Sequence, residues 1–380
     1  MTGFATYPAL LPVLRDSWSL SNSEAGLVSG TFFAGYMVAV PFLVGLTDRI
    51  DARRIYLLAT TLAALGSLGF AFCAEGLFTA LAFQALVGAG LAGTYMPGLR
   101  ILTDHFQGPK QSRGIAFYTA SFGLGTTGSL LLAGALTPLG WRWAFGAAAI
   151  GPVIGGTLVF LAFPSRPPLG TGSGTVSLFD FRPVIRNRPA FGYILGYMVH
   201  CWELFGLRSW LPAFFAFSIG LSAAGQSSLF GAATLAAWIN LIGPAASIFG
   251  NELAVRHGRR RVVLIAMAGA GALSCAIGFT APLPIAVVFL LVAVYNLLVM
   301  GDSAALTAGL VATSGAGHRG AAMALHSLFG FGAGFAAPLV FGAVLDLAGG
   351  NARTFAWGLA FASLGIWAFG GALIASVRRG

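Results

Sequence analysis

The sequence predicts an all-α membrane protein with twelve transmembrane helices arranged as two six-helix bundles. Of its 380 residues, 57% are hydrophobic and 8% are charged, compared with about 25% charged in an ordinary soluble protein. So few charges cannot cover a soluble globule of this size, and they fall between apolar segments of about 20 residues, the length of a membrane-spanning helix. The 54 glycines are typical of helices whose backbones approach closely in lipid. A soluble enzyme is therefore excluded.

The expected spans are apolar runs that end at charged residues, Gly or Pro. They are Met1–Leu14, Ala25–Leu46, Ile55–Cys73, Leu77–Leu99, Gly114–Leu136, Ala144–Phe163, Phe191–Phe217, Leu229–Phe249, Val262–Phe279, Ile285–Ala308, Ala321–Leu345 and Phe355–Ala375. The first run is too short to cross a bilayer, and we expect a first helix that lacks its opening turns. A cleavable signal peptide is the alternative, but it needs a basic residue before its apolar run.

The distribution of basic residues predicts the orientation in the membrane. Seventeen of the 21 Lys and Arg residues lie in alternate loops on one side of the predicted bilayer, three lie on the other side, and Arg208 lies within a span. The basic side is expected to be cytoplasmic and to carry both termini. Because the net charge of +10 is explained by these loops, no nucleic-acid partner is expected. The expected location is the bacterial inner membrane.

The longest polar stretch, residues 164–189, divides the chain into two halves. It begins with many Pro, Gly and Ser residues, a composition typical of a flexible linker. We therefore expect an N-terminal bundle at 1–163, a cytoplasmic linker at 164–189, and a C-terminal bundle at 190–380.

The two halves share sequence features at a constant offset of 207 residues. Val44–Ile55 aligns with Asn251–Val262, and Phe122–Gly125 aligns with Phe329–Gly332. Each pair occupies the same topological place in its half. Parallel six-helix repeats are typical of transporters that work by alternating access.

The stretch Val44–Arg53 resembles the basic loop motif of the major facilitator superfamily, Gly-x-Leu-Ala-Asp-Arg-x-Gly-Arg-Arg, with Val44 and Asp51 in place of the two glycines. Trp141–Phe145 and Val87–Gly90 are also similar to that family, and the resemblance extends over the whole chain. It implies the six-plus-six helix fold of a transporter, not an enzyme. It also implies a cytoplasmic gate made by a cluster of charged residues. These are Asp48, Arg49, Arg53, Arg54, Arg256 and Arg260. The alternative is that they only anchor the cytoplasmic loops.

Three further stretches are similar to the cyanate- and nitrate-porter-like branch of that family. They are Glu203–Gly206, Asn251–Ala254 and Asp302–Leu306. Nitrate porters bind their anion with an arginine in the second helix of each half, and neither Ala25–Leu46 nor Leu229–Phe249 contains one. The resemblance therefore does not imply nitrate as the substrate.

The seventh span carries the polar residues of greatest interest, because a charge at mid-bilayer costs several kcal/mol. His200, Glu203 and Trp210 fall within an arc of about 80° of a helical wheel, and we expect this face to line the central cavity. Burial disfavours the ionised form of a carboxyl group, so Glu203 is the candidate to carry a coupling proton and His200 to share it. A purely structural carboxylate is the alternative for Glu203.

Arg208 points about 140° away from Glu203 on the same wheel. Pairing with Asp302, binding to a helix end and snorkelling to the headgroups all remain open for Arg208. The rest of the substrate-binding surface is expected from aromatic, amide and acidic side chains. These are Tyr95, Tyr118, Asn240, Asn296 and Asp302. For Asp302, an ion pair close to the gate is the alternative.

The expected function is secondary active transport of a small polar organic or anionic solute by alternating access, coupled to protons. A multidrug or metabolite exporter of the same fold and a membrane sensor that does not transport are the alternatives. The sequence contains no nucleotide-binding loop, metal-ligand spacing or nucleophile triad, so no cofactor is expected. The expected partners are the solute, the lipid bilayer and protons, and the chain is expected to be a monomer.

Overall fold

The computed structural model describes residues 1–47, 49–166, 181–221, 229–315 and 318–377, and this part of the chain contains helices and no strand. The helices α1 to α15 are, in order, Thr6–Ser17, Asn22–Leu46, Ala52–Cys73, Leu77–His105, Gly108–Leu136, Trp141–Ala148, Ile150–Ala162, Arg182–Arg186, Arg188–Leu221, Leu229–His257, Arg259–Ile277, Ile285–Gly301, Ser303–Thr313, Arg319–Leu347 and Thr354–Val377.

Ten helical segments in the described residues are long and apolar enough to cross a membrane. Two of them are interrupted spans, because α6 continues into α7 and α12 continues into α13. The apolar part of α15, Thr354–Phe369, is shorter, and α1 has 12 residues, which rise about 18 Å against a hydrocarbon core of about 30 Å. The predicted all-α membrane fold is confirmed.

The chain divides into two compact units. Unit 1 comprises Met1–Leu20 and Thr31–Gly174, and unit 2 comprises Ser21–Gly30 and Thr175–Gly380. The division at residue 174 falls inside the polar stretch 164–189, of which residues 167–180 lie outside the described residues.

Unit 1 is held together by helices that meet at small residues. A Cβ at Gly90 of α4 would lie 2.6 Å from the backbone nitrogen of Ala63 in α3, and one at Gly88 would collide with the Phe32 carbonyl oxygen of α2. Backbones that approach this closely gain dispersion contacts that lipid tails cannot match. The glycine content therefore has a direct packing role in this unit.

The start of α2 is capped within unit 2 by a carboxylate at the end of α14. Asp346 Oδ1 accepts hydrogen bonds from the backbone N–H and the Nδ2 of Asn22, at 3.0 and 2.8 Å, and Oδ2 accepts from the N–H and the Oγ of Ser23, at 2.8 and 2.6 Å. The backbone groups are donors that a helix N-terminus leaves unsatisfied, and a negative charge there is stabilised by the helix dipole.

Candidate functional site

The span formed by α12 and α13 is interrupted at a single acidic residue. Hydropathy alone makes 285–313 one continuous span, but α12 ends at Gly301 and α13 begins at Ser303, with Asp302 between them at φ −93° and ψ −17°. The neighbouring α10 lies against this point, because a Cβ at Gly250 would collide with the Gly301 carbonyl oxygen. Interrupted helices in transporters place polar groups at the binding site.

The Asp302 side chain forms a buried pair with His200 of α9. Asp302 Oδ1 lies 2.7 Å from His200 Nδ1, and the two side chains are 3% and 1% exposed. An imidazole and a carboxyl group at this distance can share one proton, and a buried acid needs such a partner because an isolated charge in an apolar interior is costly. The structure therefore joins His200 to Asp302, whereas the sequence had suggested that it shares a proton with Glu203.

Glu203 has a different environment although it lies one helical turn after His200. Its Oε1 accepts a hydrogen bond from the Tyr295 hydroxyl of α12 at 3.2 Å, and both side chains are buried. No described cationic side chain contacts this carboxyl group, and Asp302 is near enough to repel it when both are ionised. Unit 2 thus encloses one acid that contacts an imidazole and one acid that contacts a hydroxyl group.

An aromatic stack continues from His200 towards α14. The Tyr197 ring lies 5.6 Å from the His200 ring and 3.6 Å from the His326 ring, measured between centroids, and the planes are nearly parallel. His326 is buried, and its Nδ1 has no hydrogen-bond partner among the described residues. The sequence had suggested only a packing role for His326, because a single histidine in an apolar helix gives no indication of its neighbours.

Arg208 is not the ion-pair partner of Asp302, which contacts His200. It lies two turns after Cys201 and three turns after Tyr197 in α9, so the three residues fall within about 40° of one another around the helix. Within the described part of the chain, the Nε atom is buried and lacks a hydrogen-bond partner. The guanidinium therefore lies on the same side of α9 as the aromatic stack.

Three other predicted binding residues of unit 2 contact backbone carbonyls. Trp210 Nε1 donates to the Pro338 carbonyl at 3.0 Å, Asn296 Nδ2 donates to that of Ile239 at 2.9 Å, and Asn240 Nδ2 donates to that of Ala236 at 2.9 Å. The Trp210 indole is fully buried and packs against Phe341 and Trp357. The face of α9 that was expected to line the central cavity is buried, with contacts from α12, Asp302, α14 and α15.

Tyr95 and Tyr118 line a cavity of about 270 Å³ inside unit 1. Their rings stack at 5.7 Å between centroids, and the Tyr118 hydroxyl donates to the carbonyls of Thr94 and Tyr95, both at 2.9 Å. Hydroxyl groups supply most of the other polar lining, and no carboxylate or imidazole is among the described lining residues. This cavity offers hydrogen bonds but no side chain that titrates near neutral pH.

The expected gate residues are divided between the two units, and the structure describes five of the six. Asp48 lies outside the described residues, and Arg49, Arg54, Arg256 and Arg260 are exposed. Arg53 Nη2 donates to the Phe160 carbonyl at 2.7 Å, and its guanidinium lies 4.8 Å from the centre of the Phe160 ring. Arg53 therefore joins α3 to the end of α7 inside unit 1.

Asp51 has a role that the sequence analysis missed. Its Oδ1 accepts the Arg53 N–H at 2.9 Å and caps α3, and its Oδ2 accepts the Ser165 Oγ at 2.7 Å and the Arg166 N–H at 3.0 Å. Partial burial alone would raise the pKa of Asp51, but these hydrogen bonds outweigh it and hold the pKa below its ordinary value. An Asp directly before a helical run is a recognisable N-cap signal.

Residues 1–327 match the family model described as Major Facilitator Superfamily. The chain belongs to the major facilitator superfamily. The fold and the family are those of transporters, not enzymes.

Curated relatives in the superfamily match part of this chain. Protein spinster homolog 3 of Danio rerio is 27% identical over 222 residues, which cover 55% of this chain and 44% of the relative. A probable sphingolipid transporter of Arabidopsis thaliana, spinster homolog 1, is 26% identical over 41% of this chain and 31% of its own length. The chain thus spans less than half the length of these relatives.

Solved structures of the superfamily share the fold over nearly the whole chain. A bacterial homolog of the human lysosomal transporter Spinster, in an inward-facing and occupied conformation, superposes with a TM-score of 0.79 at 16% identity, covering 99% of this chain and 93% of that one. A mutant of the nucleoside transporter NupG gives a TM-score of 0.77 at 13% identity, covering 100% and 98%. At these identities, the structures show the fold alone.

Proposed function

We propose that this major facilitator protein is a secondary active transporter that moves a small polar or anionic organic solute by alternating access and couples that movement to protons. The observation that carries the proposal is the interruption of α12–α13 at Asp302, beside a buried histidine. A charged pair in the middle of an apolar span is costly and marks a transport pathway in membrane proteins. The proposed setting is a bacterial inner membrane, with both termini cytoplasmic and the chain acting as a monomer.

Glu203 is the proposed proton carrier because its charge has no partner. The His200 imidazole contacts Asp302 at 2.7 Å, whereas the described contact of the Glu203 carboxyl group is with the Tyr295 hydroxyl. A single hydrogen bond compensates only part of the cost of burying an ionised carboxylate, so this enclosed state favours the protonated form. A conformation that admits water to Glu203 would favour release of the proton. The chain then exchanges a proton each time it changes conformation.

Arg208 is the proposed contact for the anionic group of the solute. Its Nε atom is buried and unpartnered among the described residues, and a guanidinium binds carboxylate or phosphate through two parallel hydrogen bonds. The Tyr197–His326 stack on the same side of α9 offers a flat surface for the organic part. The names of the similar proteins point to two different solute classes, sphingolipids and nucleosides. The proposal that the solute is anionic therefore rests on Arg208.

The first experiment is a thermal-shift screen of the purified protein against anionic, neutral and cationic organic solutes. Ligands that bind the folded state raise the melting temperature, and we expect the effective ones to be anionic. Arg208→Gln should lose the shift, whereas Arg208→Lys should keep part of it because the charge remains.

The second experiment is uptake of the selected solute into proteoliposomes under an imposed pH gradient. We expect accumulation against the solute gradient while the pH gradient persists and its loss when a protonophore is added. Uptake that does not depend on the pH gradient would contradict proton coupling. A ligand that stabilises the protein but is not taken up would favour the alternative of a membrane sensor.

A further inference from the structure

A groove on the surface of unit 2 lies between α10, α11 and α12. It has a volume of about 690 Å³, within the range of about 300–1,000 Å³ that is usual for small-molecule sites. Its residues on α10 run from Ile242 to His257 at spacings of three and four, so they form one helical face. Fifteen residues of helix rise about 22 Å, close to the thickness of one leaflet with its headgroup region.

The groove has a floor of small residues and walls of exposed apolar side chains. Ala245 and Ala246 belong to the floor, and at Gly250 the floor is closed by the contact between α10 and the Gly301 carbonyl. The Phe249 and Ile265 side chains rise on either side and are 71% and 60% exposed. An apolar concave surface at membrane depth is filled by hydrocarbon, because water gains no hydrogen bonds there.

The two ends of the groove differ in charge. Arg261 and His257 line one end, where the turn at Gly258 joins α10 to α11 with φ +90°, and both side chains are exposed. The remaining lining is apolar side chains and glycine. A turn between two spans lies at the membrane boundary, so the cationic end coincides with the headgroup layer.

The corresponding surface of unit 1 is shaped differently at two positions. At the offset of 207 residues, Gly250 corresponds to Leu43 and His257 to Ile50, while Arg261 corresponds to Arg54. Leu43 extends to α4, where its Cδ1 would lie 3.0 Å from a Cβ at Gly93. Unit 1 therefore has a leucine side chain at the position where unit 2 has Gly250, which has no side chain.

We propose that this groove of unit 2 is a binding site for an anionic phospholipid, with the phosphate at Arg261 and His257 and an acyl chain along the face from Leu253 to Ile242. Basic pockets at the end of apolar clefts between transmembrane helices have the chemistry that recognises anionic headgroups. The site is separate from Glu203 and Asp302 and does not depend on the proposed transport function.

A second groove of unit 2 provides an internal control. It lies between α9, α14 and α15, has a volume of about 390 Å³, and is lined by apolar residues such as Trp202, Phe329 and Trp367 without any charged side chain among the described lining residues. This second groove is not expected to distinguish lipids by the charge of their headgroups. A preference for anionic lipid is therefore assigned to the groove between α10, α11 and α12.

The test is native mass spectrometry of the purified protein with phosphatidylglycerol and phosphatidylcholine that carry the same acyl chains. We expect the protein to bind phosphatidylglycerol about fivefold more tightly, since one arginine near an anionic headgroup contributes about a fivefold preference. Arg261→Gln with His257→Gln should abolish the preference, and Ala245→Trp, which fills the groove from an exposed position, should displace both lipids from it.

Arg256→Gln is the matched control because Arg256 is exposed near the same turn and is not among the described lining residues of the groove. It should keep the preference. Equal binding of the two lipids, an equal loss in Arg256→Gln and Arg261→Gln, or an unchanged adduct in Ala245→Trp would overturn the proposal. Glycerol 3-phosphate should not compete, and competition at lipid-like concentrations would show a free phosphate site instead.

Discussion

The interior of unit 1 is lined by hydroxyl groups, whereas that of unit 2 holds carboxyl and imidazole groups. The buried side chains of the described residues that carry an acid or an imidazole are His200, Glu203, Asp302 and His326, all in unit 2. The cavity of unit 1 is instead bordered by tyrosines, threonines and serines. The two units therefore differ in the kind of polar side chain that their described interiors contain.

Buried hydroxyl groups and buried acids differ in what satisfies them in an apolar environment. A hydroxyl group that donates to a nearby carbonyl, as Tyr118 does, is satisfied in one protonation state at all physiological pH values. A buried acid is satisfied only with a counter-charge or a proton. Among the described residues, the buried carboxyl and imidazole side chains lie in unit 2.

The largest expected effect is at the buried His200–Asp302 pair. Asp302→Asn removes the carboxylate that contacts the His200 imidazole, and removing one partner of a buried pair costs about 3–5 kcal/mol. The check is thermal unfolding in detergent. Tyr118→Phe in unit 1 should cost about 1 kcal/mol, the net value of a hydrogen bond.

The double variant His200→Gln with Asp302→Asn keeps a neutral hydrogen-bonding pair and should recover most of the stability that Asp302→Asn loses. If Asp302→Asn destabilised the protein no more than Tyr118→Phe, the buried pair of unit 2 would contribute no more to stability than a hydroxyl hydrogen bond of unit 1, which contradicts the prediction.

A smaller effect is expected where α10 meets the interruption of α12–α13. Gly250→Ala places a methyl group against the Gly301 carbonyl oxygen, and such overpacking costs about 1–3 kcal/mol. Gly243→Ala, in the same helix, places its Cβ 3.4 Å from Met300 Cγ and should be tolerated. Similar melting temperatures for both variants would show that the two helices separate freely at this point.

The smallest effect concerns Asp51 at the polar end of unit 1. Asp51→Asn removes the charge that caps α3 and should cost about 1 kcal/mol at neutral pH. Because the pKa of Asp51 is held below its ordinary value, its contribution is present above about pH 4 and disappears as the pH falls through the lower folded value.

The measurement for Asp51 is the difference in melting temperature between wild type and Asp51→Asn at pH 7 and at pH 3. Asp16→Asn is the control, since the described contacts of that exposed carboxylate are with Arg15. A difference that stays constant down to pH 3 would argue against a stabilising carboxylate at Asp51.

The fold class could be predicted because the length of an apolar run, its hydrophobicity and the charges at its ends are properties of consecutive residues. The apolar runs predicted the spans, and the helical wheel correctly placed His200 and Glu203 on neighbouring positions of one helix. The interruption at Asp302 could not be found in this way, because hydropathy stays high on both sides of it.

The partners of the polar residues depend on how separate helices pack, which no single-helix pattern contains. His200 contacts a residue 102 positions away, and Trp210 donates to a carbonyl 128 positions away. The wheel could predict the face of α9 but not which helix covers it. Asp51 was the exception, since its capping role is local and its position before α3 was visible in the sequence.

The central claim is that Glu203 carries the coupling proton. The direct measurement compares wild type and Glu203→Gln in proteoliposomes, using the solute selected by the thermal screen. Gln keeps an oxygen that accepts from Tyr295 but cannot titrate, so we predict loss of accumulation driven by a pH gradient while solute counterflow continues. Glu252→Gln, at an exposed carboxylate of α10, should leave both activities intact. Full gradient-driven accumulation by Glu203→Gln would contradict the account.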